Sequence, residues 1–381
     1  MKAEPPPRPQ VDTPEVLGFQ RQPMVCWLSP KGLAGTGLRV VLSSIFGMYS
    51  DKREIQAALQ EIEPFDYSNQ RELWIDYVSD LGDGFNPTYH VARLLAAEKL
   101  DLAGHSTPAG QILVMGGDQV YPVASKKDYE DRLVGPYRAA LPWGDGSRHL
   151  YAIPGNHDWY DGLTSFLRVF CQKDWVGGWK THQSRSYFAL QLPHRWWLWG
   201  IDIQFDTYID QPQLDYFDNV VGPLVHPGDS IILCTAKPTW VKSNTNRPED
   251  YVNLDYFDRK IIRKRGAEAR VFLTGDTHHY ARYAEEGGGR QLFTAGGGGA
   301  YLAATHDLPE RLELPPAASR DPGKTRPPTY YGLEKTFPSK ETSRRLKRQV
   351  LSLPFTNRGF WALMGVVHML FGWMAAGALS G

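Results

Sequence analysis

Between residues 73 and 279 one pattern recurs: a short β-prone run ends in small or acidic residues, and a helical or turn-rich stretch follows. The runs read "LWIDYVSDLGDG" (73–84), "QILVMGGDQVYP" (111–122), "HLYAIPGNHD" (149–158), "WWLWGIDIQ" (196–204), "SIILCTAKP" (230–238) and "RVFLTGDTHH" (270–279). Apolar stretches such as Ile112-Leu113-Val114 and Ile231-Ile232-Leu233 suit strands covered on both faces, since a half-exposed strand alternates apolar and polar residues. Between the first two runs, "TYHVARLLAAEK" (88–99) has a helical pattern. Strands alternating with helices predict an α/β layered domain, with polar groups gathered beyond the carboxyl ends of the strands.

The strand ends carry Asp80, Asp83, Asp118, Tyr121, Asn156, His157, Asp158, Asp202, Asp276, His278 and His279. One carboxylate after a strand is ordinary; four strand ends that each supply oxygen or imidazole donors call for a common purpose. In "YAIPGNHDWYDG" (151–162) a turn accounts for Pro154 and Gly155 but not for the trio Asn156, His157 and Asp158. Mixed oxygen and nitrogen donors suit iron, manganese or zinc better than calcium. Two metals held a few ångströms apart activate water and clamp phosphate oxygens during in-line displacement.

Asp80-Leu81-Gly82, "GDQVY" (117–121) and "GNHD" (155–158) occur in an order and spacing that resembles the calcineurin-like metallophosphoesterase superfamily, and in the first two motifs the purple acid phosphatases. The resemblance covers roughly residues 73–310 and implies a layered β-sandwich flanked by helices. It implies that Asp80 binds a first metal, Asp118 bridges two, Tyr121 offers a phenolate, and Asn156 binds the second metal through its amide. His157 is then the proton donor to the leaving oxygen, and Asp158 orients that imidazole. His278 matches the last histidine of a Gly-His-x-His motif, whereas Asp276 stands where the pattern has the other imidazole, a change toward Mn²⁺ or Mg²⁺. Where the pattern carries a histidine before a proline, this chain has Thr235, Ala236 and Lys237 ahead of Pro238. Lys237 either substitutes as an ammonium for a weakly held second metal or reaches solvent. Asp83 is an additional ligand or a turn cap, and His279 points away from His278 on an extended chain. The glycine-rich 296–306 stretch reads as a phosphate-approaching loop or a plain loop, Asp202 as a loop-fixing residue, and His182 and His194 as surface histidines.

The expected activity is metal-dependent phosphoester hydrolysis, as a phosphatase or phosphodiesterase. In it a metal-bound hydroxide attacks phosphorus at a centre of one or two ions (Mn, Fe, Zn or Mg), and His157 is the general acid. The alternative is a catalytically impaired, membrane-tethered scaffold or sensor. The expected partner is a phosphorylated substrate, lipid-linked or nucleotide. A net charge of zero gives no support for nucleic acid as a partner. Cys26, Cys171 and Cys234 are too few and too scattered for a disulfide framework.

Residues 1–20 are proline-rich, have no apolar core segment and read as a disordered lead-in to a catalytic domain over 21–335. "LRVVLSSIFGM" (38–48) reads as a packing helix or a membrane-surface element, followed by helical spacing in "DKREIQAALQEIEPF". A basic segment, 336–358, leads into residues 359–381, which lack Asp, Glu, Lys and Arg and suffice for a transmembrane helix. The alternative is a buried helix carrying His368. Arg344, Arg345, Lys347, Arg348 and Arg358 just upstream place the domain on the cytoplasmic side. The apolar stretch runs to the last residue, as expected of the first span of a longer membrane protein.

Overall fold

The computed structural model describes residues 13–30, 32–37, 53, 62–203, 208–317 and 327–379. The 38–48 stretch and most of the helical pattern after it lie outside these residues. The strands are β1 (Phe65–Asp66), β2 (Ile75–Val78), β3 (Lys99–Leu102), β4 (His105–Pro108), β5 (Ile112–Met115), β6 (His149–Ala152), β7 (Trp175–Val176), β8 (Trp179–Thr181), β9 (Phe188–Leu192), β10 (Trp196–Gly200), β11 (Ser230–Cys234), β12 (Glu268–Thr274), β13 (Tyr280–Glu285), β14 (Gln291–Ala295), β15 (Arg311–Leu314) and β16 (Thr329–Phe337). Helices used below are α1 (Phe85–Ala96), α2 (Lys126–Tyr129), α3 (Asn156–Trp159), α4 (Lys340–Lys347) and α5 (Arg358–Leu379).

One sheet has the order β2-β5-β6-β8-β7, the other β1-β9-β10-β11-β12-β14-β13-β16-β15, and β3-β4 is a separate hairpin. β2, β5 and β6 are mutually parallel, as are β10, β11, β12 and β14, so their carboxyl ends share an edge in each sheet. Side chains explain the layering. Along β5, Ile112 and Val114 pack with Phe188, Leu190, Leu198 and Cys234 of the second sheet. Leu113 and Met115 point the other way, onto Ala92 of α1 and onto Leu133, Tyr137 and Phe166. Successive residues of a strand face opposite sides, so an all-apolar strand fills two cores at once. On the outer face of the second sheet, Trp197, Trp199, Ile231 and Leu233 meet Phe217, Leu254, Phe257 and Ile261. The result is helix, sheet, sheet, helix: the layered α/β sandwich expected from the run pattern.

The expected domain limits shift slightly. Within the segment read as a disordered lead-in, Leu17 and Phe19 are buried against Phe85. At the other end β16 continues to Phe337, and α4 docks on the domain through Ser343 and Thr305. Residues Arg358–Ala378 of α5 hold an 18-residue stretch with mean hydropathy 1.5 and no buried share, long and apolar enough to cross a bilayer. The alternative of a buried C-terminal helix is therefore not met.

His194 is exposed as expected, whereas His182 is only partly exposed. Its ring lies 4.3 Å from that of His149 and 6.0 Å from Tyr151, and its Nε2 is buried with no hydrogen-bond partner among the described residues. Burial first, then the neighbouring His149, lowers its pKa from 6.5 to about 4. The folded state thus prefers the neutral ring, and this contribution to stability is complete above pH 6.5 and is lost as the pH falls toward 4. The melting temperature is expected to drop over that window, and His182→Phe should flatten the slope there; an unchanged slope would count against this.

Candidate metal centre

The carboxyl ends of three strands build the centre. Asp80 follows β2, Asp118 follows β5, and Asp276 and His278 follow β12. Backbone bonding carries on past the strands, from Asp80 N to Gly117 O (3.0 Å) and from Leu81 N to Asp118 O (2.8 Å). Asp80, Asp118, Asp276 and His278 all have positive φ, of 63°, 51°, 65° and 32°. Side chains rarely tolerate that region, so four such residues at one rim mark a place where geometry is held against local preference. Gly155 leaves room for the second carboxylate, because a Cβ there would sit 2.2 Å from Asp118 Oδ1.

Asp80, Asp118 and His278 present donor atoms within 4.8 Å of one another, and all three are buried. The Tyr121 hydroxyl oxygen lies 2.9 Å from Asp80 Oδ1, 3.2 Å from Asp118 Oδ2 and 2.8 Å from His278 Nε2. His278 Nδ1 faces the Tyr301 carbonyl at 3.0 Å, which can only accept. The proton therefore sits on Nδ1, and Nε2 offers its lone pair to the cluster. Among the described residues the basic partner of Asp80 is His278, at 3.4 Å, and no lysine or arginine pairs with Asp118. Burial, then the Asp118 charge, pushes Asp80 well above the ordinary carboxylate range. Tyr121 is raised strongly for the same two reasons, and burial lowers His278. Two buried carboxylates with no fixed cation are costly unless a proton or a metal joins them. The donor set fits a transition-metal or zinc-type ion through Asp80, Asp118, Tyr121 and His278.

His157 stands beside this cluster. Its backbone N–H donates to Asp118 Oδ1 (2.9 Å), and its ring lies 4.5 Å from Tyr121. Its Nδ1 faces the Pro122 carbonyl at 2.7 Å, so Nε2 is the nitrogen with no hydrogen bond among the described residues. The role expected for Asp158 is corrected here. Asp158 does not orient His157: its carboxylate accepts from Gly155 N (2.8 Å), Gln119 N (3.2 Å) and Tyr129 Oη (2.5 Å). It caps the start of α3, where free N–H groups attract an anion. The Pro122 carbonyl holds the imidazole instead. Asn156 donates its Nδ2 to Tyr160 Oη (2.9 Å), leaving Oδ1 for other partners.

The remaining candidates separate clearly. Asp83 lies outside the Asp80, Asp118 and His278 group and is more than a turn cap; it accepts from Val25 N (2.9 Å) and Trp27 Nε1 (3.3 Å), tying down a distant segment. The Asp276 carboxylate is outside the Asp80, Asp118 and His278 group, although its charge helps to raise Asp80, Tyr121, Tyr160 and Tyr301. Lys237 follows Ala236, whose carbonyl accepts from Gly275 N (2.9 Å), so Lys237 and Asp276 are adjacent across the strand ends. The Lys237 ammonium is largely buried and lies 3.8 Å from Asp250 Oδ2, so it does not simply reach solvent. His279 is buried, with a pKa lowered to about 4 chiefly by desolvation, and contacts Thr277. The glycine-rich loop is no free flap: Gly298 N donates to Ser79 O (2.8 Å) and Ala300 N to Asp80 O (3.0 Å). Asp202 fixes structure, holding Trp159 Nε1 (3.1 Å) and Ser186 Oγ (2.6 Å). Trp27 carries no motif that marks it in the sequence, yet its ring lies 5.3 Å from Tyr121, 5.8 Å from His157 and 5.3 Å from Tyr301.

No protein-family model matches the chain, and no curated protein matches it. Among solved structures it is similar to "GAP50 the anchor in the inner membrane complex of Plasmodium", at 13% identity and a TM-score of 0.42, over 61% of this chain and 76% of that one. It is also similar to "Structure of PhoD", at 12% identity and a TM-score of 0.37, over 61% of this chain and 57% of that one.

Proposed function

We propose that the chain is a metal-dependent phosphoester hydrolase in which Asp80, Asp118, Tyr121 and His278 hold the metal and His157 is the proton donor. The supporting observation is a buried carboxylate cluster, with no lysine or arginine paired to it among the described residues, next to the His157 imidazole, whose ring lies 4.5 Å from that of Tyr121. A bound cation supplies an acidified water, with a pKa lowered toward ~7, and neutralises phosphoryl oxygens. The protein's own residues do the rest. Asp118 ties the centre to the His157 backbone, Pro122 fixes the ring, and doubly protonated His157 gives its Nε2 proton to the leaving oxygen. Asn156 and the Lys237 side of the rim face the phosphoryl group. In this reading Lys237, at the neighbouring strand end with its ammonium paired to Asp250, lends the rim positive charge in place of a second dication.

The test uses the full chain with a panel of phosphomonoesters and phosphodiesters, each with added Mn²⁺, Fe²⁺, Mg²⁺ or Zn²⁺, and a parallel metal count. Turnover of at least one ester class with about one tight ion per chain is expected. Two tight ions would refute the lysine assignment. Metal binding without turnover of any ester would favour the second reading, a membrane-tethered scaffold, to which the lack of an imidazole at Thr235–Lys237 lends weight.

A further inference from the structure

We infer that the ester this centre acts on is a lipid phosphoester presented by an anionic bilayer, reaching His157 past a wall formed by Trp27 and Tyr301. The inference rests on the hydrolase reading and adds the substrate class.

Two paths of chain and hydrogen bonds tie the wall to the base of the apolar helix. The first is the strap of residues 20–30. It is pinned by Gln20 N to Asp131 (2.9 Å), Phe85 N to Gln22 O (2.9 Å), and the Asp83 bonds to Val25 and Trp27. Leu28, the residue after Trp27, accepts at its carbonyl from Asn357 Nδ2 (3.3 Å). Asn357 in turn caps α5, accepting from Phe360 N at Oδ1 (3.1 Å). Consecutive Cα atoms are about 3.8 Å apart, so the wall of the site and the residue bonded to the helix cap are one step from each other. The second path runs through Tyr301, whose carbonyl holds His278. Just beyond it Leu302 lines one cleft with Leu346 and Lys347, and Thr305 N donates to Ser343 Oγ (3.0 Å) of α4.

The surface along both paths is apolar and uncovered. Leu28 is 39% exposed, Tyr301 47%, Leu302 48%, Leu351 78% and Phe355 79%. Interleaved with them are exposed Arg344, Arg345, Lys347, Arg348 and Arg358. Apolar side chains among cations at the foot of a bilayer-length helix match an anionic membrane surface, which covers the first and attracts the second. An ester lying in that surface has its phosphorus at the level of the wall while its chains stay in lipid. The step balances with water alone. Water's oxygen forms a bond to phosphorus and its released proton passes to bulk solvent. The phosphorus–oxygen bond to the lipid alcohol breaks, the His157 proton goes to that alcohol oxygen, and a solvent proton restores His157.

The test uses the full chain in nanodiscs containing phosphatidylserine, with three substrates: bilayer phosphatidic acid, soluble glycerol 3-phosphate and p-nitrophenyl phosphate. The bilayer ester should exceed its soluble counterpart in kcat/KM by about tenfold or more, and Leu351→Glu with Phe355→Glu should cut that ratio by about tenfold. Equal rates on the two, or a ratio indifferent to the double variant, would overturn the lipid assignment while p-nitrophenyl phosphate turnover left the hydrolase reading standing. A spin label at Leu302→Cys, in a Cys26→Ser background, gives an answer without catalysis. Accessibility to oxygen rather than to a water-soluble nickel chelate is expected, and free access of the chelate would overturn the proposal.

Discussion

Replacing His157 with Asn is expected to lower kcat by about 10²–10⁴-fold, the usual contribution of a positioned general acid, with no loss of bound metal. The asparagine keeps the backbone N–H bond to Asp118 and can still donate to Pro122, so the cluster should persist. Only the proton for the leaving oxygen is removed. The defect should therefore be large for alkyl esters and small for p-nitrophenyl phosphate, whose leaving group needs little help. A merely structural role for His157 would slow all esters alike. Measured kcat on both ester types, beside metal content, separates the two; equal losses would contradict the assignment.

Asp80→Asn should abolish metal binding while making the metal-free protein more stable. The expected sign follows from burial. The Asp80 carboxyl is fully buried, is pushed up by desolvation and by Asp118, and among the described residues pairs with His278 rather than with a lysine or arginine. An amide fits its bonds: Oδ1 can accept from Ser79 Oγ and Asp276 N, and Nδ2 can donate to the His278 Nε2 lone pair. Relieving the like-charge pair should raise the melting temperature of the metal-free form by a few degrees. The wild type, in contrast, should gain about 2.7 kcal/mol at a metal concentration 100 times Kd, a gain the variant forfeits. Melting with and without metal reads both effects. Equal metal-induced stabilisation of variant and wild type would remove Asp80 from the centre.

The layering and the Asp80, Asp118 and His278 cluster are legible in the chain because both signals are local. All-apolar strands announce burial on two faces, and Asp80, Asp118 and His278 follow them at turns where a ligand is easily noticed. What escapes a reading of the sequence depends on distant parts of the chain or on the backbone. Adjacency in sequence makes Asp158 look like a partner of His157, yet helix geometry turns its side chain back to the α3 N-terminus and Tyr129. The group that does hold the imidazole is the Pro122 carbonyl, and a main-chain oxygen has no residue type to recognise. Asp83 resembles a ligand or cap, but its partners lie more than fifty positions away, in the strap around Trp27. His182 passes for a surface residue because nothing in "KTHQS" announces His149 against its ring.

The most direct measurement is anomalous diffraction at the zinc edge from crystals of the full chain soaked in Zn²⁺. One strong peak within about 2.0–2.2 Å of donor atoms from Asp80, Asp118 and His278 is predicted. A saturating soak that leaves those three side chains without a peak, or that puts the ion elsewhere, would contradict the metal centre on which the proposed hydrolysis rests.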